Sequence, residues 1–353
     1  MRPAPLFAMA AVFVLLAALP GPVEAAGLEV KLVGKLPAAN YRAASVDTGK
    51  AVYLFGGRNE TNLTTAVVKY DVSGGQASYA GFSLPQPRMS ATAVLVGDRA
   101  FVFGGADGGL ELDTILSINL STGSGRTLDA RLPSPRIGLV AAVSGSMVYI
   151  FGGHSNGTKI TNVTRFDPGS ENISLTGASL PSGRAGMGVV AGERGIYLFG
   201  GKTDPGASDE VLLYDPAKDN LTVLPDRMPY TVYHAPAVAF EGKVLIIGGN
   251  AQFPDWNVSK ATDTIIEFDP GTGKSKTLAA RLPSPRERSS AAVVDGKVLV
   301  FGGQEGVSAL DEIVALGPAG KGAASGTGNW LIALSMLMMV SVAAVAVAAR
   351  RRR

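Results

Sequence analysis

The sequence predicts an all-β protein in which one four-stranded unit is read six times and closed into a ring. Three observations carry that prediction. An apolar run stops at a glycine doublet six times: YLFGG ending at Gly57, VFGG at Gly105, YIFGG at Gly153, YLFGG at Gly201, LIIGG at Gly249 and LVFGG at Gly303. The second glycines stand 48 residues apart four times and then 54, a fixed period of the kind that marks a repeat architecture. Each period also holds four short strand signals separated by turn residues. Four antiparallel strands per repeat make one blade, so the fold expected is a six-bladed β-propeller of four-stranded antiparallel blades, followed by one C-terminal transmembrane helix.

Residues 1–25 read as a secretory signal. Arg2 gives the charged start, Leu6 to Leu19 the apolar core, and Val23-Glu24-Ala25 a small-residue cleavage site. Leu28 to Leu36 carries an outer-strand pattern before any inner strand has appeared, so it is expected to complete the last blade. The third repeat shows the unit best. Ile137 to Val143 is a small apolar inner strand, and Ser146 to Phe151 is the second strand, ended by Gly152-Gly153. Asn162 to Phe166 is the third, closed by the turn Asp167-Pro168-Gly169, and Ile173 to Leu175 opens the fourth. Similar third-strand ends recur at Tyr70-Asp71, Tyr214-Asp215-Pro216 and Phe268-Asp269-Pro270. TLDARLPSPR (127–136) and TLAARLPSPR (277–286) match at nine of ten positions, which points to duplication. The last repeat has strands near Ser289 to Val294, Val298 to Phe301 and Asp311 to Leu316, and no fourth. The propeller is thus expected over 26–316, with the extra length of the fifth repeat around Ala251 to Lys260.

Residues 317–328 read as a Gly/Ala/Ser linker. Within 329–349, Trp330 to Ala349 is 20 residues without a charge, long enough as a helix for about 30 Å of hydrocarbon. Arg350 to Arg353 (350–353) follows as a tail that the positive-inside rule keeps cytoplasmic. The chain is therefore expected in the cell membrane, single-pass, with the propeller outside.

The glycine doublets have a physical cause. Blades pack face to face and taper toward the axis, so Gly56, Gly57, Gly104, Gly105, Gly152, Gly153, Gly200, Gly201, Gly248, Gly249, Gly302 and Gly303 are read as structural. They admit close backbone approach where a side chain would clash.

Composition narrows the chemistry. The chain has no Cys and two His, so disulfides, thiol catalysis and a multi-histidine metal centre are not expected. No cofactor is expected. The net charge of +3 comes from the ends: without Arg2, Glu24 and the four terminal arginines there are 27 basic and 28 acidic residues. No basic stripe is present for nucleic acid.

Glycine doublet, Tyr/Phe-Asp after it, and Pro-x-x-Arg before the next inner strand together resemble the kelch repeat over residues 28–316. The tryptophan which that family often carries in its outer strand is replaced by Leu or Tyr. The resemblance implies a binding face made by the loops into the inner strand and the loops leaving the doublet. Mapped here, that face offers Arg88, Arg136, Arg184 and Arg286, each 16 residues before its first glycine. Arg42 lies two residues out of register, and the fifth repeat has Val232 there, beside Tyr233 and His234. The other loops offer Arg58, Asp107, His154, Lys202, Asn250 and Gln304. A ring of guanidinium groups suits carboxylate or phosphate. The competing reading is that the arginines brace neighbouring blades through carbonyl groups and the Asp of Tyr-Asp-Pro.

Eight of eleven asparagines lie in Asn-x-Ser/Thr: Asn59, Asn62, Asn119, Asn156, Asn162, Asn172, Asn220 and Asn257. In a secreted domain these read as glycan acceptors, and several crowd the nominated face. The function expected is non-catalytic binding or adhesion outside the cell, with a protein or glycan as partner. The competing class is a propeller enzyme on sugar acids, of the kind the resemblance admits as a sialic-acid epimerase, with Glu60, Asp107 and Glu305 as candidate acids. Copper chemistry of the galactose-oxidase kind needs a cysteine that this chain lacks.

Overall fold

Small inner strands, hydrophobic second strands and half-apolar outer strands sort themselves into six four-stranded antiparallel sheets in the computed structural model, which describes residues 27–253 and 258–319. Sheet one is Ala44–Asp47, Ala51–Phe55, Ala66–Asp71 and Gln76–Ser83, from inner to outer strand. Sheet two is Thr92–Val96, Arg99–Phe103, Thr114–Asn119 and Gly125–Arg131. Sheet three is Val140–Ser144, Met147–Phe151, Asn162–Phe166 and Ile173–Ser179. Sheet four is Gly188–Gly192, Gly195–Phe199, Glu210–Asp215 and Asn220–Arg227, and sheet five is Ala237–Phe240, Lys243–Ile247, Thr264–Phe268 and Ser275–Arg281. Sheet six is Ser290–Val294, Lys297–Phe301 and Glu312–Pro318, with Leu28–Lys35 as its outer strand. Leu28 pairs with Pro318 and Lys35 with Glu312, with a bulge between Leu32 and Gly34.

The second strand of every sheet is its most buried. Val52, Val102, Ile150, Tyr197, Ile247 and Val300 are all at most 1% exposed. Sheets meet through apolar faces: Tyr53 and Val46 of sheet one join Val102 and Leu116 of sheet two in one cluster, and equivalent clusters fill the other junctions. The inner strand of each sheet touches that of the next, and the inner strand of sheet six touches that of sheet one. This closed β architecture is a propeller. The last strand runs to Pro318, two residues beyond the sequence boundary at 316. The loops after the doublets contain short hairpins that the sequence reading missed, His154–Ser155 with Thr158–Lys159 and Gln304–Glu305 with Ser308–Ala309. The signal at 1–25, the apolar stretch 329–349, the tail 350–353 and Asn257 lie outside the described residues. Among those described, no helix is long and apolar enough to cross a membrane.

Candidate functional site

The glycine doublets build the rim on which the site rests. The first glycine of each pair has φ between 55 and 63° and the second between 93 and 104°, a backbone region that side chains disfavour. The N–H of each second glycine donates to a carbonyl in the next sheet at 2.8–2.9 Å: Gly57 to Arg88, Gly105 to Arg136, Gly153 to Arg184, Gly201 to Val232, Gly249 to Arg286, and Gly303 to Asn40. A Cβ on Gly56, Gly152, Gly200 or Gly302 would be driven into the carbonyl oxygen at this same register.

That register decides what the arginines do. Arg88, Arg136, Arg184 and Arg286 are 0–1% exposed. Each sends Nη1 to the carbonyl of its own sheet's first glycine: Arg88 to Gly104 at 2.7 Å, Arg136 to Gly152 at 3.3 Å, Arg184 to Gly200 at 3.4 Å and Arg286 to Gly302 at 3.2 Å. Nη2 reaches Glu210 Oε2 at 2.7 Å from Arg184 and Glu312 Oε2 at 2.6 Å from Arg286. Burial lowers Arg88 and Arg136 to about 10, still charged at neutral pH. The expectation that these four form a ligand-binding ring is corrected: their donors face protein carbonyls in the interior. Nor are the Asp residues of Tyr-Asp-Pro their partners. Asp71, Asp167, Asp215 and Asp269 accept from N–H groups of their own turns. In sheet one Asn40 stands at the register and donates Nδ2 to Gly56 O at 2.8 Å, which explains why Arg42 looks displaced.

Arg42 belongs to a different series. Ser90 N–H donates to Arg42 O, Gly138 to Ser90, Gly186 to Gly138, His234 to Gly186, Arg288 to His234, and Arg42 to Arg288, at 2.7–2.9 Å. Six backbone groups are thus linked head to tail around the axis. All six have left-handed φ: Arg42 62°, Ser90 54°, Gly138 64°, Gly186 68°, His234 56° and Arg288 56°. Glycine fills two of these places. Arg, His and Arg occupy three consecutive ones at a cost of about 1–2 kcal/mol each relative to glycine. Non-glycine residues held there single the axial positions out as candidates for function.

Arg288 and Arg42, which follow His234 in the ring, make one side of the mouth cationic. Arg288 Nη1 donates to Glu287, and His234 Nδ1 lies 3.4 Å from Glu287 Oε2. Among the described residues the Arg42 guanidinium donates only to Met89 Sδ, at 3.9 Å through Nη1, and its buried Nε has no hydrogen-bond partner. Burial, reinforced by Arg288, lowers Arg42 to about 10. Arg42 and Arg58 both sit 5.8 Å from the Tyr41 ring, and Lys202 lies 5.6 Å from the Tyr233 ring, which packs on His234. Burial holds His234 below its ordinary value, so it is neutral at pH 7. Hydrogen bonding to His234 and the charge of Arg288 outweigh burial at Glu287 and keep it ionised. Arg288 pairs with Glu287, and Arg42 feels both charges while its guanidinium stays unpaired, so the mouth has a cationic group left over for an anion.

Of the other residues proposed from sequence, Arg58 is half-buried and bonds Asn59 O and Glu60 O. Lys202 is exposed. His154 stands apart, bridging sheets two and three through Glu111 at 3.1 Å. Glu60 accepts from Ala309 N and Asp107 from Gly109 N and Leu110 N, so both hold loops. Glu305 is exposed on its hairpin. Asn62, Asn156, Asn172 and Asn220 are exposed, Asn59 and Asn162 half-buried, and Asn119 is tied to Asp98 through Nδ2 at 2.6 Å. Sequence reasoning missed Arg288 and Glu287. The signal was the series 42, 90, 138, 186, 234 and 288, which keeps the repeat period while changing residue type.

The KLHDC2/KLHL20/DRC7 Kelch-repeats domain model matches residues 28–201. No curated protein matches. Among solved structures, one titled as that of YjhT is similar with a TM-score of 0.68 at 18% identity, covering 80% of this chain and 96% of that one. The doublets, the register arginines and the Kelch-repeats domain model agree: the chain belongs to the kelch-repeat family.

Proposed function

We propose that this chain is a non-catalytic binding or adhesion module, a six-bladed kelch propeller displayed outside the cell on one C-terminal span (329–349). It holds a protein or glycan partner by a carboxylate seated at the axial mouth. The observation that carries the reading is the retention of Arg42, His234 and Arg288 at left-handed positions where Gly138 and Gly186 show that glycine fits. Bidentate guanidinium groups match carboxylate geometry, and a half-buried site strengthens each contact. The exposed sequons are proposed to carry glycans, Asn62 and Asn156 on the doublet face and Asn172 and Asn220 in turns at the opposite end of their sheets.

Capture by residues 27–319 from a panel of carboxylate-bearing peptides and glycans, each paired with its amide or ester, tests this. Arg42→Gly relieves backbone strain and removes the least-satisfied guanidinium. It is expected to unfold no earlier than the parent and to lose at least tenfold in capture. Equal capture of acids and amides, or full capture by Arg42→Gly, refutes the reading.

The Glu287–His234 pair beside the arginines favours one second reading, a propeller enzyme on sugar acids. Exchange at a sugar-acid stereocentre, seen by NMR and lost in Glu287→Gln, would establish it in place of the binder.

A further inference from the structure

A cavity of about 380 Å³ opens between sheets four and five on the face opposite the mouth, within the size range of small-molecule sites. It exists because one side chain is short. Ala239 stands at the register of Leu95, Val143 and Val293, which pack across their own junctions against sheets one, two and five. Ala191 occupies the same register in sheet four, but there Met147 of sheet three packs against the junction's core, where sheet four has only Gly195 to offer sheet five. Between sheets four and five nothing replaces the missing carbons, and the cavity is walled by Val190, Ala239, Val244 and Pro270.

Tyr197 lines this space. It is 1% exposed, and its hydroxyl has no hydrogen-bond partner. Its ring packs against Phe268 at 5.4 Å. At the junction of sheets three and four the residue matching Phe268 is Tyr214, whose hydroxyl finds Asp219 at 2.8 Å. A buried hydroxyl with an apolar neighbour in place of an acceptor needs an acceptor from elsewhere. On the rim, Arg194 Nη1 reaches only Pro270 O, at 3.5 Å, so a second donor is weakly engaged.

We propose that this cavity is a second ligand site, distinct from the mouth, that takes a monocyclic aromatic acid. The ring lies against Val190, Ala239 and Val244, an oxygen accepts from the Tyr197 hydroxyl, and the anionic end faces Arg194.

The probe is 4-hydroxybenzoate, titrated into the full chain by ligand-observed NMR. Ala239→Leu restores the side chain of Leu95, and Ala239→Val that of Val143. Both are expected to unfold at or above the parent temperature and to abolish binding. Tyr197→Phe keeps the ring and is expected to weaken binding about five- to tenfold. Arg42→Gly is expected to bind as the parent does. No binding by the parent, equal binding by the filled variants, or loss in Arg42→Gly overturns the proposal, the last by placing the acid at the mouth.

Discussion

Arg286→Ala separates a brace from a ligand contact. The parent side chain is fully buried. It donates to Gly302 O at 3.2 Å, Ser284 Oγ at 3.0 Å and Glu312 Oε2 at 2.6 Å. Removing it leaves those acceptors without their donor and leaves Glu312 unpaired. Breaking a buried ion pair costs about 3–5 kcal/mol. Glu312 keeps 29% of its side-chain surface in water, which places the loss near the low end, about 3 kcal/mol. For a domain of this size that is a fall of roughly 6 °C in Tm. Arg286→Lys keeps the charge but not the fork, and should lose about half as much. Thermal and urea unfolding followed by far-UV circular dichroism reads both. A variant that unfolds within about 1 °C of the parent yet fails to capture its partner would refute the bracing argument and return Arg286 to the binding face.

Two further outcomes are expected. Gly56→Ala puts a Cβ into Arg88 O at left-handed φ, whereas Gly145→Ala meets nothing within 4 Å. Chemical denaturation should show the first losing at least about 3 kcal/mol and the second about 1 kcal/mol, and equal losses would remove the close-approach explanation of the doublets. His234 is held neutral by burial, below its ordinary 6.5. The unfolded chain takes up the proton first, so the stability from neutral His234 is full above 6.5 and declines as pH falls below it. Unfolding free energy measured from pH 8 to 5 should fall less in His234→Gly; an unchanged slope would show that His234 does not titrate differently on folding.

The sheets were legible because hydrophobic runs and doublets repeat in chemistry as well as in spacing. The closing strand was legible because Leu28 to Leu36 has the alternation of an outer strand without an inner one before it. The role of Arg286 and its equivalents was not legible, since Pro-x-x-Arg looks the same whether the guanidinium turns inward to Gly302 O or outward to a ligand. Only the path of the chain decides that. The axial series was hidden for the opposite reason. Arg42, Ser90, Gly138, Gly186, His234 and Arg288 share a conformation and share no chemistry, so a search for recurring residues passes over them. The hairpins after the doublets are two residues per strand, too short to show any period.

Pairing Leu28–Lys35 with Glu312–Pro318 imposes an order on folding. Lys35 and Asp311 are 276 residues apart and joined by an ion pair at 3.0 Å. Bringing such distant segments together costs about 5 kcal/mol in chain entropy. Strand Leu28–Lys35 finds its partner only when the last repeat is complete, so sheet six stays open during any time in which the other five have already paired. Folding dominated by so non-local a contact is slow. During that interval the vacant edge of sheet six can accept the first strand of another copy, exchanging strands between chains. Newly made protein at high concentration is therefore expected to partition into swapped dimers, and dilution during refolding to restore the single chain.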